Sequence, residues 1–259
     1  MSSFLEHGYG DRVHLLDDVH LATLLARVSS PAVDHAALPA LVRDVYATLL
    51  DCAFSLALPR TTVRVPTRMV EQQPAAGIWE GEVLDPATRV VVVDVVRGGI
   101  IPSQVAFERL TRVLTPGNVR LDHLTMSRLA DDQGRVSGVD LNGSKVGGSS
   151  EGAVLLIPDP MGATGATTLR VIDHYRENFG APSAVLLVPM IATPEYLARI
   201  QGVEGALVVC GRLDRGLSSA DVLATPPGTH WERERGLDEH GYIVPGAGGV
   251  GEVLNNAWC

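Results

Sequence analysis

Cysteine is scarce in this 259-residue chain: Cys52, Cys210 and Cys259 are its three, widely spaced and without a Cys-x-x-Cys pair. That scarcity argues against a disulfide framework or a zinc knuckle and favours a reduced, cytoplasmic setting. Lysine and arginine form no dense run and the formal net charge is −9, so neither nucleic acid nor an anionic membrane surface is an expected partner. An anionic substrate would need locally placed arginines. The longest apolar runs are strand-length, too short to span a bilayer. Residues 1–7 lack a basic stretch leading into an apolar one, so no secretory signal is expected. No internal repeat and no clear interdomain linker stand out. What the chain does have is 46% hydrophobic residues, enough for a substantial core in one large domain or a domain with an appendage.

Four short apolar runs, Val90–Val96, Ala153–Ile157, Ala184–Val188 and Ala206–Cys210, are largely β-branched and read as strands buried on both faces of a parallel sheet. Helical patterns separate them, over Ser103–Leu114, Ala166–Asn178 and Thr193–Ile200. The second stops at Gly180-Ala181-Pro182, and the third opens on a cap, a first-turn proline and an acid, Thr193-Pro194-Glu195. Alternating strands and helices predict right-handed βαβ units and a ligand site beyond the strands' carboxyl ends. The expected class is α/β, an open, mainly parallel β-sheet flanked by helices. Within a single domain over 1–259, residues 1–75 form an N-terminal helical segment, with amphipathic helices over Val19–Val28 and Asp34–Leu56. Residues 76–211 hold the core sheet and 212–259 a C-terminal region. Gln133–Glu151, rich in glycine and serine, reads as a hairpin or lid or as a plain surface loop.

The most informative segment is Asp159-Pro160-Met161-Gly162-Ala163-Thr164-Gly165-Ala166-Thr167-Thr168, directly after the run ending at Ile157 and Pro158. A carboxylate leaves the sheet edge, and small residues and hydroxyls surround the start of a helix. Such a turn aims unpaired amides and the positive end of a helix dipole at one spot, an anion site. The alternative is an ordinary βα loop in which Thr164 or Thr167 only caps the helix.

This block, together with Val96-Arg97-Gly98-Gly99-Ile100, Met126-Ser127-Arg128 at a strand end, and Glu239-His240-Gly241-Tyr242-Ile243-Val244-Pro245-Gly246, resembles the uracil phosphoribosyltransferases in order and approximate spacing from about Asp11 to Val253. The resemblance implies a type I phosphoribosyltransferase fold with a C-terminal base-binding hood. It also implies transfer of a 5-phosphoribosyl group from phosphoribosyl pyrophosphate (PRPP) to N1 of uracil, giving uridine monophosphate (UMP) and pyrophosphate in pyrimidine salvage. The sugar passes through an oxocarbenium-like state, so such catalysis needs positioning and charge stabilisation rather than a protein nucleophile.

Carried over from the family, Asp159, Arg97 and Arg128 are the catalytic residues. Arg97, Arg128, Asp159, Pro160, Met161, Gly162, Ala163, Thr164, Gly165, Ala166 and Thr167 make up the PRPP site. Asp159 would accept from the ribose hydroxyls directly or beside a magnesium ion, the implied cofactor, bound with PRPP. The arginines would hold pyrophosphate, a task suited to a planar, permanently charged fork. Ile243, Gly248, Gly249 and Val250 would read uracil largely through main-chain groups. His240 reads as a structural hydrogen-bonder and Tyr242 as a packing residue. The resemblance further implies a homodimer or higher homo-oligomer, and some members of the family respond to an allosteric nucleotide such as GTP.

Gly246-Ala247-Gly248-Gly249-Val250-Gly251 matches the Gly-x-Gly-x-x-Gly fingerprint of dinucleotide sites, which needs a strand before it, a helix after it and an acid about 20 residues on, but only eight residues follow it, so the dinucleotide reading fails. Against the family's Gly-Leu-Gly-Asp-Ala-Gly-Asp, Gly249 replaces the first Asp, which predicts a roughly ten- to hundredfold defect rather than abolition. Ser127 replaces a tyrosine, and about 20 residues including Trp231 are inserted between Leu217 and Leu237. Three functions follow as candidates: a uracil enzyme, a transferase for another base, or a non-catalytic nucleotide-sensing or scaffold homologue.

Overall fold

The computed structural model describes residues 3–130 and 136–257. The chain opens with β1 (Ser3–Phe4), β2 (Val13–Asp17), α1 (Val19–Val28) and α2 (Leu38–Ala57), then an antiparallel ribbon of β3 (Arg60–Pro66) and β4 (Ile78–Leu84). Next come β5 (Val90–Val96), α3 (Ile100–Val113), β6 (Val119–Ala130), β7 (Val136–Lys145), β8 (Val154–Ile157), β9 (Met161–Gly162) and α4 (Ala166–Asn178). The rest is β10 (Ala184–Leu187), β11 (Ile191–Ala192), α5 (Pro194–Ile200), β12 (Ala206–Cys210), β13 (Arg212–Leu213), α6 (Ala220–Leu223) and α7 (Val250–Asn255). Asp18 caps α1 by accepting from the Leu21 amide at 2.7 Å, and Thr193 caps α5 by accepting from that of Tyr196 at 3.0 Å.

Eight strands form the main sheet in the order β1-β2-β12-β10-β8-β5-β6-β7, parallel from β2 through β6 with an antiparallel strand at each edge. Its apolar runs alternate between two cores, as period-two geometry requires. Val90, Val92, Leu156 and Leu186 pack with residues of α1, α2 and α3, whereas Val91, Val93, Leu155 and Val185 pack with those of α4 and α5. This double burial is why these strands read as continuous hydrophobic stretches.

The expected mainly parallel α/β sheet is therefore present. The four core strands and α4 match their predicted ranges to within a residue at each end, while α3 begins three residues early, at Ile100. A 3-10 turn, His35–Ala37, precedes α2, and the N-terminal stretch also supplies β1 and β2 to the main sheet. Met126-Ser127-Arg128 is not at a strand end. It lies inside the twelve-residue β6, because Val136–Lys145 returns alongside as β7 and prolongs the ladder, with Met126 opposite Leu141 and Ser127 opposite Asp140. Residues 133–135 of the Gly/Ser-rich stretch and the Arg128 side chain lie outside what the structure describes. No helix among the described residues is long and apolar enough to cross a membrane.

Two features position the site. From β5 the chain winds one way to β6, and from β8 the other way to β10 and β12, so β5 and β8 flank the switch point where ligands of open α/β sheets bind. Strands β8, β10 and β12 also continue past their carboxyl ends into a second parallel sheet, β9-β11-β13. Pro158, Pro160 and Pro189 interrupt the first ladder between the two sheets, since proline has no amide to donate.

Candidate active site

Asp159, partly buried between two prolines, sits in the break between β8 and β9. The loop after it is held from below by Thr193, whose amide donates to Gly162 O at 3.0 Å and whose hydroxyl donates to Ala163 O at 2.7 Å. Ala163 N bonds to Met161 O at 2.9 Å, and Gly165 then turns into α4 with φ +75°. A Cβ at Gly165 would be strained by that angle and would lie 3.3 Å from two carbons of the Arg199 side chain. The Thr164 hydroxyl accepts from Ala166 N at 3.3 Å, so the capping interaction exists. It is not the whole of the loop's capacity: the amides of Thr164, Gly165, Thr167 and Thr168 meet no acceptor among the described residues. Four donors at a helix N-terminus make an anion cradle as well as a cap.

Across the switch point the turn after β5 closes on this loop. A Cβ on Gly98 would sit 3.3 Å from Pro160 Cγ and 3.9 Å from Asp159 Oδ1, which shows how close the two segments lie. Gly99 has no space at all, its Cβ position being 2.7 Å from Val95 N and 3.1 Å from Asp94 Oδ1. The Val96–Arg97 peptide is cis. Arg97 Nη1 donates to Ala257 O at 2.9 Å, which ties the turn to the end of α7. The start of α7 packs here too: a Cβ on Gly251 would lie 3.4 Å from Gly98 N and 3.9 Å from Arg97 Cβ.

Beneath this turn Asp94 is 2% exposed, with Oδ2 2.7 Å from His123 Nδ1 and Oδ1 without a partner. Burial raises its carboxyl pKa, against an opposing effect from His123. Sequence reasoning missed this pair; the available signal was one acid interrupting a run of six buried or half-buried valines.

The C-terminal block is clamped by a buried ion pair that sequence reasoning also missed. Arg212 makes a bidentate contact to Asp214 at 2.7 and 2.8 Å, and both then hold Gly246: Asp214 Oδ2 accepts from its amide at 2.7 Å and Arg212 Nη2 donates to its carbonyl at 3.0 Å. Ile243 is buried against the core, Val250 likewise, and Gly248 adopts φ +68°. At Gly249 the Glu252 carboxylate folds back into the space a side chain would occupy. Tyr242 is 47% exposed, so it is not the packing residue expected, because the turn it occupies is fastened by backbone bonds to Asp238. His240 is exposed, 3.6 Å from Glu239.

The inserted segment is a fastened strap. Glu234, 1% exposed, accepts from Arg215 Nη1 at 2.8 Å, from Gly228 N at 2.9 Å and from the Tyr9 hydroxyl. Burial chiefly, with the neighbouring carboxylate, raises the Tyr9 phenol pKa well above its ordinary value. Trp231 stands edge-on to Tyr9 with centroids 5.0 Å apart and donates from Nε1 to Pro194 O at 3.0 Å. Beyond the strap, Glu195 accepts from Gly236 N at 2.9 Å, where the chain enters the C-terminal block.

The structure thus brings together the Asp159 loop, the Arg97 turn and the segment around Gly249 and Val250. No cluster of three metal-ligating side chains occurs among the described residues.

Comparisons with known proteins give the chain a family and a fold. A family model described as uracil phosphoribosyltransferase matches residues 15–229. A uracil phosphoribosyltransferase of Thermococcus sibiricus is 23% identical over 67% of this chain, which spans 62% of that relative's length. One of Thermococcus kodakarensis is 24% identical over 77% of this chain and 72% of its own. Among solved structures, the AQ2163 protein of Aquifex aeolicus superposes with TM-score 0.70 at 20% identity, covering 93% of this chain and 97% of that one. The adenine phosphoribosyltransferase of Trypanosoma brucei superposes with TM-score 0.50 at 10% identity, covering 86% and 92%. At such identities the structures speak for the fold alone, whereas the family match covers most of the chain. The chain belongs to the uracil phosphoribosyltransferase family and has the fold of the type I phosphoribosyltransferases.

Proposed function

We propose that this chain transfers the 5-phosphoribosyl group of PRPP to N1 of uracil. The bond from C1 of the ribose to the pyrophosphate oxygen breaks, the bond to N1 forms, and the N1 proton is released. The observation that carries this reading is the cradle of unpartnered amides at the start of α4, facing the Arg97 turn across the switch point.

The loop from Ala163 to Thr167 grips the 5-phosphate, chiefly through the open amides of Thr164, Gly165, Thr167 and Thr168, where a dipole favours negative charge and small residues admit the phosphate to the backbone. Asp159 accepts hydrogen bonds from the ribose hydroxyls. Arg97 and Arg128 escort the departing diphosphate. A guanidinium has five donors, so Arg97 can keep its Ala257 contact while it binds. Magnesium would fit this site as an ion that comes with PRPP: Asp159 offers a carboxylate, no cluster of three metal-ligating side chains occurs among the described residues, and magnesium typically takes one or two carboxylates and fills its shell with phosphate oxygens and water. It supplies charge neutralisation on the diphosphate. Main-chain groups near Ile243 and Gly248 to Val250 read the base edge, held in place by the Arg212–Asp214 clamp on Gly246.

The test is production of UMP from PRPP, uracil and magnesium by the purified chain. UMP well above a no-enzyme control supports the reading; no nucleotide from uracil or any other base contradicts every transferase reading. A second reading, transfer to another base, is favoured by Gly249, where Glu252 and not the loop's own side chain brings a carboxylate. Pyrophosphate release across a panel of bases distinguishes it.

A further inference from the structure

Behind the base loop lies a pocket of about 310 Å³. Val28, Leu38 and Val42 from the first two helices form one wall, and Val250, Val253 and Leu254 of α7 the other. Ala247 and Gly248 also line it, so the pocket and the proposed base site share one stretch of main chain. Its volume, the share of roughly ten liquid waters, falls in the range of small-ligand sites.

Among the described residues no lysine, arginine, aspartate or glutamate lines it, so a phosphate or carboxylate would be buried there without a counter-charge, which is costly. Its polar side chains are already engaged. Ser29 Oγ accepts from Arg212 Nη1 at 3.0 Å, Ser30 Oγ accepts from Ala32 N at 3.3 Å, and His35, more than half exposed, lies 3.2 Å from Asp34. Apolar surface predominates in its lining. Arg212 also donates to Gly246 O, so one guanidinium holds both the pocket wall at Ser29 and the base loop in fixed relation. Uracil, a small polar ring with no alkyl group, has nothing to place in such a space.

We propose that this pocket receives a short alkyl group carried by the base, so that the preferred acceptor is an alkylated pyrimidine. The proposal rests on the transferase reading and specifies its substrate class. Each methylene moved from water into the pocket should tighten binding about fourfold.

Titration calorimetry on the full chain, with and without PRPP, compares uracil with uracils bearing methyl, ethyl or propyl at C5 or at C6. Affinity should climb about fourfold per carbon in one of the two series. Val33→Phe, at a residue that lines the pocket between α1 and α2, and Val253→Phe fill the pocket from different sides; either should abolish the climb and leave uracil binding unchanged, with thermal unfolding reporting that the variant is folded. A flat or falling affinity in both series overturns the proposal, as does a climb that survives in both folded variants. UMP assays separate the two ideas. Turnover of uracil with a flat series overturns the pocket and spares the transferase; a graded series without nucleotide from any base supports the pocket and removes the transferase.

Discussion

Asp159 stands where a strand is interrupted by two prolines, so its backbone leaves the ladder beside the turn at Gly98. Asp159→Asn preserves shape and removes charge. It should lower kcat about a hundredfold with the unfolding midpoint unchanged, and an undiminished rate would take Asp159 out of the mechanism. Gly165→Ala tests the cradle: at φ +75° a side chain adds about 1–2 kcal/mol of strain, so Tm should fall by a few degrees and PRPP affinity with it. Asp94 makes a pH-dependent prediction. Its carboxyl is raised by burial, so the folded state holds this proton more tightly than the unfolded chain. Its contribution is fully present below the unfolded carboxylate value and is lost as pH rises through the folded one. Asp94→Asn should therefore gain stability relative to the parent at pH 7 and lose that advantage in acid, as urea midpoints at both pH values will report. At this scale the site was partly legible. Asp159, the glycines and Arg97 sit in a recognisable local pattern, whereas Arg212, Asp214 and Glu234 act through contacts distant in sequence, which no local spacing encodes.

Among elements, the central strands and α4 were readable because each carries its own periodicity and stop signals. The ribbon of β3 and β4 was not: its strands are exposed along most of their length, so no apolar alternation marks them. The two-residue strands of the second sheet are shorter than any pattern, and they exist because three neighbouring strands run on together past breaks at Pro158 and Pro160, at Pro189 and at Gly211. The inserted strap was visible as extra residues, but its order depends on one buried carboxylate. Glu234→Ala leaves Arg215 buried and uncompensated and should destabilise the chain by about 3–5 kcal/mol in denaturant titrations, with Glu234→Gln losing less. Equal stability of Glu234→Ala and the parent would show that the strap is held by Trp231 and Tyr9 alone.

Over the whole molecule, the reversal of strand order between β5 and β8 gathers the Asp159 loop, the Arg97 turn and the start of α7 at one crevice. A ligand that bridges them binds the folded state only, so PRPP at a hundredfold excess over its Kd should add about 2.7 kcal/mol of stability, and Arg97→Ala should lose most of that shift. The most direct measurement is a crystal structure of the chain with PRPP and magnesium. The account predicts the 5-phosphate within hydrogen-bonding distance of the amides from Thr164 to Thr168, the ribose hydroxyls on Asp159, and the diphosphate on Arg97. A phosphate seated elsewhere, with those amides still unoccupied under saturating donor, would contradict it.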